Sequence, residues 1–398
     1  MSNIEKKADA TWALRLSELE IGDEEIQSVV DVLESDWLTM GPRTEAFEVA
    51  FAQFLNVKHA IAVTNATAAL HLAHHVHDIG PGDEVICPSL TFIATANSIL
   101  YTGATPVFAE ITSEKDFNLD PNDVERRITS RTKGIVVLHY AGYCAAMDRI
   151  KEIADRHGLY LIEDAAHAPG SELGGRKLGT IGDVGCFSFF SNKNMSTGEG
   201  GLVVTNSDQL ADRIRRARSH SMTSFTWDRV RGHAHSYDVV DLGFNYRIDE
   251  IRSAIGFTQL GRLSKNNDRR KALMEKYLTE LRQIDKIAVP FDPADGISAC
   301  HICPLLLAQE IDRAAFMNGM KERGIQTSIH YPPVHLFSYY RDRFGFQEGM
   351  LPLTEMVTRR EVTLPLYPGM HDEDVIRVVG ALVDTLATTP SNGGVNGT

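Results

Sequence analysis

The 398-residue sequence has no apolar run approaching the roughly 20 residues needed to cross a bilayer. Its opening MSNIEKKADATWA lacks the apolar centre of a secretion signal, so the expected location is the cytoplasm. Basic charge is also short. Lys and Arg number 40 against 53 Asp and Glu, a formal charge of −13, and no basic run stands out, which disfavours a surface that tracks nucleic-acid phosphates. Cysteine is scarce: Cys87, Cys144, Cys186, Cys300 and Cys303 are odd in number and scattered, the pattern of reduced thiols and not of a disulfide framework. Cys300 and Cys303 make one CxxC, too few ligands for a tetrahedral zinc site, and ISACHICPLLL around them reads as a strand. His71 and His75 have the i, i+4 spacing of metal ligands, with His74 and His77 nearby, but no Glu follows His71 as in a zinc protease. They are read as helix-face histidines, and no metal is expected.

What is present is ordinary globular material, 43% apolar and 23% charged, in a chain long enough for two joined domains. Short apolar runs at 60–63, 84–87, 105–108, 134–139 and 159–162 alternate with amphipathic helical patterns. That alternation predicts an α/β fold, a mostly parallel central sheet sandwiched by helices. TAALHLAHHV reads as the helix after the first run and DRIKEIADRHG as the helix before the 159–162 strand, with Gly158 placed to stop it. A long helical pattern from 247 to 281 looks like the bridge to a smaller C-terminal α+β domain, and TTPSNGGVNGT at the end has too little apolar content to fold. The expected division is an arm at 1–20, a large domain at 21–255, a smaller domain at 256–387 opened by the bridging helix, and a disordered tail at 388–398.

In open α/β sheets ligands sit at the carboxyl ends of strands, so the polar residues there are the place to look for chemistry. Asp164 follows an apolar strand, where an acid at the bottom of a cleft could hold a ring nitrogen protonated. Lys193 follows the apolar CFSFF run and precedes GEGG at 198–201, so its amine could reach the same cleft and form an imine if desolvation keeps it neutral. NATA at 65–68 lies at a strand-to-helix junction, where free amides and the helix dipole attract anions and make Ala66 and Thr67 candidate phosphate donors. The basic segment WDRVRGHAH at 227–235 reads as a loop whose Arg229 and Arg231 could meet a substrate phosphate.

DAAH at 164–167, Ser188, and Lys193-Asn194 followed by GEGG occur together, and the segment closely resembles the sugar aminotransferases of the DegT/StrS type. These are pyridoxal phosphate (PLP) enzymes of the aspartate aminotransferase fold. The resemblance runs over nearly the whole chain, through WLTMGP at 37–42, PSLTFIATAN at 88–97 and LPLYPGM at 364–370. It implies that the large domain binds PLP, with Lys193 as the Schiff-base lysine that also shuttles the proton between Cα and C4′. Asp164 would pair with the pyridinium nitrogen, His167 would hydrogen-bond the phenolic oxygen and Phe92 would stack on the ring. Ser188 would join Ala66 and Thr67 at the phosphate. GFNYRIDE at 243–250 matches a motif whose asparagine, here Asn245, reaches the phosphate of the neighbouring subunit, which implies a homodimer with shared sites. His330 and Tyr331 in GIQTSIHYPPVH match a pair that borders the substrate, and Thr39 lies in the 37–43 segment assigned to substrate contact.

The activity expected from this resemblance is transfer of an amino group from glutamate or glutamine to a keto group of a sugar, a nucleotide-linked keto-hexose first of all. A cyclitol or another small keto compound would use similar cofactor residues. Relatives that use pyridoxamine phosphate to remove a sugar hydroxyl typically lack the Schiff-base lysine, which this chain keeps. A PLP-binding regulatory protein is the non-enzyme alternative, and the intact set of catalytic residues argues against it.

Overall fold

A computed structural model describes residues 12–224, 232, 236–291 and 295–389. In chain order its strands are β1 His59–Val63, β2 Glu84–Pro88, β3 Thr105–Ala109, the hairpin β4 Ile111–Ser113 and β5 Asp116–Leu119, β6 Thr132–Leu138, β7 Tyr160–Asp164, the hairpin β8 Glu172–Leu173 and β9 Arg176–Lys177, β10 Val184–Ser188, β11 Gly201–Thr205, β12 Ile287–Ala288, β13 Cys303–Leu307 and β14 Glu361–Leu364. Seven form the central sheet, in the order β1-β11-β10-β7-β6-β2-β3. Only β11 runs against its neighbours in that sheet; the pairs β10/β7, β7/β6, β6/β2 and β2/β3 are all parallel. The mostly parallel sheet with helices on both faces is therefore the observed architecture, and the residues of β2, β10 and β11 are buried throughout, as apolar runs covered on both sides should be.

Each expected run became a strand, shifted by no more than two residues at either end. One of these shifts matters for the site: β7 extends to Asp164, so the acid is the last residue of the strand and not the first beyond it. Its neighbour Glu163 then points to the opposite face. There its carboxylate, wholly buried, accepts from His139 Nε2 at 2.9 Å and from the backbone N–H groups of Gly179, Ile181 and Gly182 at 2.6–2.7 Å. The two acids are thus divided between structure and cleft by the two-residue period of one strand.

The helix Ala66–His75 follows β1, and Met147–His157 precedes β7 and ends on Gly158, which takes the left-handed conformation at φ 63° that a glycine adopts without a side-chain clash. His71, His74 and His75 pack among aromatic rings: His71 Nδ1 meets the Tyr246 hydroxyl at 2.9 Å, His74 faces Tyr160, and His75 lies edge-on to Phe244. The long helix spans Glu250–Leu281, with the Asp249 side chain accepting from the Arg252 N–H at its start. Its early Leu263 packs with the core under the central sheet, whereas Leu273, Met274, Tyr277 and Leu281 join the core around the antiparallel sheet β12-β13-β14. Residues 13–16 pair with Gly324 and Gln326 of this second unit. Within ISACHICPLLL only Cys303–Leu307 is strand, and the five thiols are all unpaired. No described helix is long and apolar enough to cross a membrane.

Candidate active site

Asp164 stands at the carboxyl end of β7, 4% exposed. Its Oδ2 accepts from Thr95 Oγ1 at 2.8 Å and its Oδ1 from the Ala166 N–H at 3.2 Å. Burial pushes its carboxyl above the usual range, against those two bonds and the attraction of Lys193. A carboxylate held there with two neutral donors is undersupplied with positive charge, the condition that favours a cationic ring N–H as partner.

Lys193 sits in the turn after β10, its own N–H bonded to the Phe190 carbonyl at 2.9 Å. The side chain is half-buried, and burial lowers its ammonium to about 8 while Asp164 opposes the shift. A neutral amine is thereby within reach near physiological pH. His167 stands one turn beyond Asp164, 1% exposed. Its Nδ1 lies 3.3 Å from the Ala141 N–H, which can only donate. The proton must therefore be on Nε2, which faces the Tyr331 hydroxyl at 3.0 Å, so His167 presents a donor to the cleft. Burial and the Lys193 charge hold it neutral.

Ala66 and Thr67 open the helix Ala66–His75, and their N–H groups precede any intrahelical acceptor. Asn65 caps the end by accepting from Ala68 at 2.8 Å. Gly201, at the start of β11, allows that strand to approach the start of this helix closely: a Cβ on it would lie 2.4 Å from the Asn65 carbonyl carbon and 2.6 Å from the Ala66 nitrogen. Ser188 ends β10, nearly buried, and its Oγ accepts from the Phe190 N–H at 3.4 Å, leaving its own proton to donate. The ring of Phe92 is 55% exposed at the start of the helix Ile93–Tyr101, 5.9 Å from the ring of Tyr331.

His330 and Tyr331 also enter the cluster. His330 Nδ1 meets Thr363 Oγ1 at 2.8 Å, and its N–H donates to Glu361 Oε2 at 2.8 Å. Burial and Lys193 depress it to about 4. The Tyr140 hydroxyl donates to the His330 carbonyl, fixing the segment from the other side. Thr39 and Asn245 are exposed in this chain, held by bridges to Asp249 and Ser219 respectively, and among the described residues no hydrogen bond joins either side chain to Lys193, Asp164 or His167. Arg229 and Arg231 lie outside the described residues.

Several residues of the cluster have no counterpart among the sequence expectations. Thr95 lies inside PSLTFIATAN but donates to Asp164 from a helix. His301 lies 3.4 Å by Nε2 from Lys193 Nζ, and its ring is 4.5 Å from that of His167. It sits between the two cysteines that drew attention to that stretch. Glu361 and Thr363 of β14 stand behind His330.

A buried acid, a desolvated amine, an imidazole donor, unpaired helix amides and an exposed aromatic ring form a set that fits PLP. A family model described as the DegT/DnrJ/EryC1/StrS aminotransferase family matches residues 19–383. The spore coat polysaccharide biosynthesis protein SpsC of Bacillus subtilis is 42% identical over 369 residues, 92% of this chain and 95% of the relative. Among solved structures, Helicobacter pylori PseC, an aminotransferase involved in the biosynthesis of pseudoaminic acid, is similar with a TM-score of 0.88 and 29% identity, covering 94% of this chain and 99% of that one. A Streptococcus pneumoniae protein solved in its PLP form is similar with a TM-score of 0.87 and 27% identity, covering 94% and 98%. The chain therefore belongs to the DegT/DnrJ/EryC1/StrS aminotransferase family, as a PLP-dependent transaminase.

Proposed function

We propose that the protein transfers an amino group from glutamate or glutamine to the keto group of a sugar, a nucleotide-linked keto-hexose, through a Schiff base on Lys193. The observation that carries this reading is the clustering of a half-buried amine lowered to about 8, the buried Asp164 and the Nε2–H of His167, Lys193 acting electrostatically on both of the others. The sugar assignment draws on the relatives, whose names place them in the biosynthesis of a coat polysaccharide and of pseudoaminic acid.

Bound PLP supplies a carbonyl that condenses with amines and a ring that takes up the electrons left when a Cα–H bond breaks. Asp164 keeps the ring nitrogen protonated, because a buried carboxylate favours a cation beside it. His167 donates from Nε2 to the phenolic oxygen. The N–H groups of Ala66 and Thr67 and the Ser188 hydroxyl hold the phosphate at the positive end of their helix. Phe92 covers one ring face. Lys193, once its amine is free and neutral, would take the proton from the donor's Cα and hand it on within the site, and would run the same transfer in reverse for the acceptor. Tyr331 and His330 line the substrate side, with Thr39, Arg229 and Arg231 as further substrate contacts.

We further propose that Asn245 acts across a dimer interface, its side chain being exposed in the single chain. The outward stripe Ile26, Val30 and Leu33, 57%, 37% and 53% exposed on the helix Asp23–Glu34, is the kind of apolar surface a second copy would cover.

The test is transfer of ¹⁵N from α-amino-labelled glutamate, and from α-amino-labelled glutamine if the sugar is aminated only with that donor, to a panel of nucleotide-linked keto-hexoses and keto-cyclitols, read by mass spectrometry. A labelled amino sugar is expected. Label appearing only in cyclitols, or only in keto acids, overturns the sugar assignment.

A further inference from the structure

Beside Lys193 runs a series of side chains whose hydrogen-bond polarity is set by backbone carbonyls, and none of the roles above uses it. Asn267 Nδ2 donates to the Pro169 carbonyl at 2.8 Å, which turns its Oδ1 toward Asn194. Asn194 Nδ2 donates to that Oδ1 at 2.9 Å and to the Ala299 carbonyl at 2.8 Å. The Asn194 Oδ1 must then face His301 Nδ1, 2.9 Å away, and an amide oxygen can only accept. His301 therefore carries its proton on Nδ1, and its Nε2 lone pair faces Lys193 Nζ at 3.4 Å.

The backbone supports this placement. Cys300, immediately before His301, takes a φ of 46°, in the left-handed region that a non-glycine residue occupies at a cost. The His301 N–H is tied to the Ala141 carbonyl at 2.9 Å, and the Ala299 N–H to Ser171 Oγ at 2.9 Å. The strain is held by bonds on both sides of the turn, and it delivers the imidazole to the lysine.

We infer that His301 orients the free Lys193 amine by accepting one of its N–H bonds, and that Asn194 fixes the tautomer this requires; the inference rests on the reading of Lys193 as the proton-moving amine. A lysine side chain has four torsions and a freely rotating terminal amine. One fixed N–H restrains that rotation and turns the amine lone pair away from His301. His167 cannot serve in the same way, because its Nε2 is a donor.

The groups facing this pair are Asp164 from β7, His167, His330, Tyr331 and Arg270, whose Nη1 donates to the His301 carbonyl at 3.2 Å. Burial first, then the charge of Lys193, keeps His301 neutral and hence an acceptor. An acceptor aimed at Lys193 favours its charged form, so removing it lowers the amine.

The experiment follows Schiff-base formation between full-length apoprotein and added PLP by stopped-flow absorbance across pH, for wild type, His301→Leu, His301→Gln and Asn194→Leu. Unfolding curves establish which variants are folded. In His301→Leu the pH midpoint of the rate falls by about one unit and the high-pH plateau falls by about tenfold. Asn194→Leu moves both in the same direction by less, since the freed ring can change tautomer, and it carries the test if His301→Leu does not fold. His301→Gln, with an amide oxygen able to accept, brings the midpoint back toward wild type. A plateau that falls with no movement of the midpoint means a packing role only and overturns the inference, as does a folded variant that matches wild type in both. Borohydride reduction of the wild type separates the two levels: cofactor trapped on Lys193 with an unmoved midpoint sinks the His301 assignment alone, while cofactor trapped elsewhere sinks the Lys193 reading with it.

Discussion

Single side chains set the chemistry by how much water and charge they are denied. Lys193 is less basic than a surface lysine because burial outweighs Asp164, and Asp164 is held with too little positive charge around it. Asp164→Asn should retain bound PLP yet lower kcat by roughly 10²-fold, the scale of one lost charge-assisted contact in the transition state; a change below about threefold in steady-state turnover would count against the ring-nitrogen role. Glu361 gives a different prediction. Burial raises its carboxyl from 4.5 to about 8 despite bonds from Thr363 Oγ1 and the His330 N–H. A folded-state acid with a raised value contributes stability that is full below about 4.5 and is lost as pH rises through about 8. Chemical denaturation of Glu361→Gln and wild type across that window should show the difference shifting in favour of the variant as pH rises, and a pH-independent difference contradicts the assignment. At this scale Asp164 and Lys193 stood out in the sequence through the apolar runs before them and through the resemblance carried by DAAH and GEGG. The sequence was not readable for His301, Thr95 and Glu361, because a histidine between two cysteines, a threonine in a helix and a glutamate in a strand are common and acquire roles only from partners far along the chain.

Elements place these side chains, and here the apolar runs were good guides because a strand buried on both faces must be apolar almost throughout. The antiparallel direction of β11 was not legible, since an apolar run carries no sign of its direction. The convergence of β11 on the helix Ala66–His75 is also invisible in sequence beyond the last glycine of GEGG. Gly201→Val puts atoms where the Asn65 and Ala66 backbones already lie. It should cost about 1–3 kcal/mol of stability from overpacking and weaken PLP binding more than it weakens folding, checked by equilibrium dialysis beside thermal unfolding. Unchanged PLP affinity would remove this turn from the phosphate site. On the other face of β7, Glu163→Ala strips His139 and three N–H groups of their acceptor. A loss of about 3–5 kcal/mol is expected from denaturant unfolding, with little direct effect on the amine chemistry in the protein that remains folded.

At the scale of the whole molecule, a second copy would add what one chain lacks. Asn245 is exposed and unconnected to the cluster within the chain, so its proposed role at a phosphate requires a second copy. Refolding equal amounts of Lys193→Ala and Asn245→Ala chains together should restore about one quarter of wild-type activity, because half the dimers are mixed and each mixed dimer holds one intact site. No recovery, with mixed dimers demonstrated by native mass spectrometry, would place Asn245 in cis or outside the site. The long helix was legible from its apolar pattern, whereas the pairing of residues 13–16 with Gly324 and Gln326 was not, because short backbone pairings leave no pattern in side chains. The central claim is that Lys193 carries the cofactor and cycles it. The most direct measurement is the absorbance spectrum of the purified holoenzyme before and after L-glutamate and, separately, L-glutamine, with Lys193→Ala alongside. The account predicts a long-wavelength Schiff-base band in wild type that bleaches with one of these donors and returns with an acceptor, and no such cycle in Lys193→Ala. A wild-type protein that takes up no PLP from excess cofactor, or a Lys193→Ala variant that completes the cycle, would contradict it.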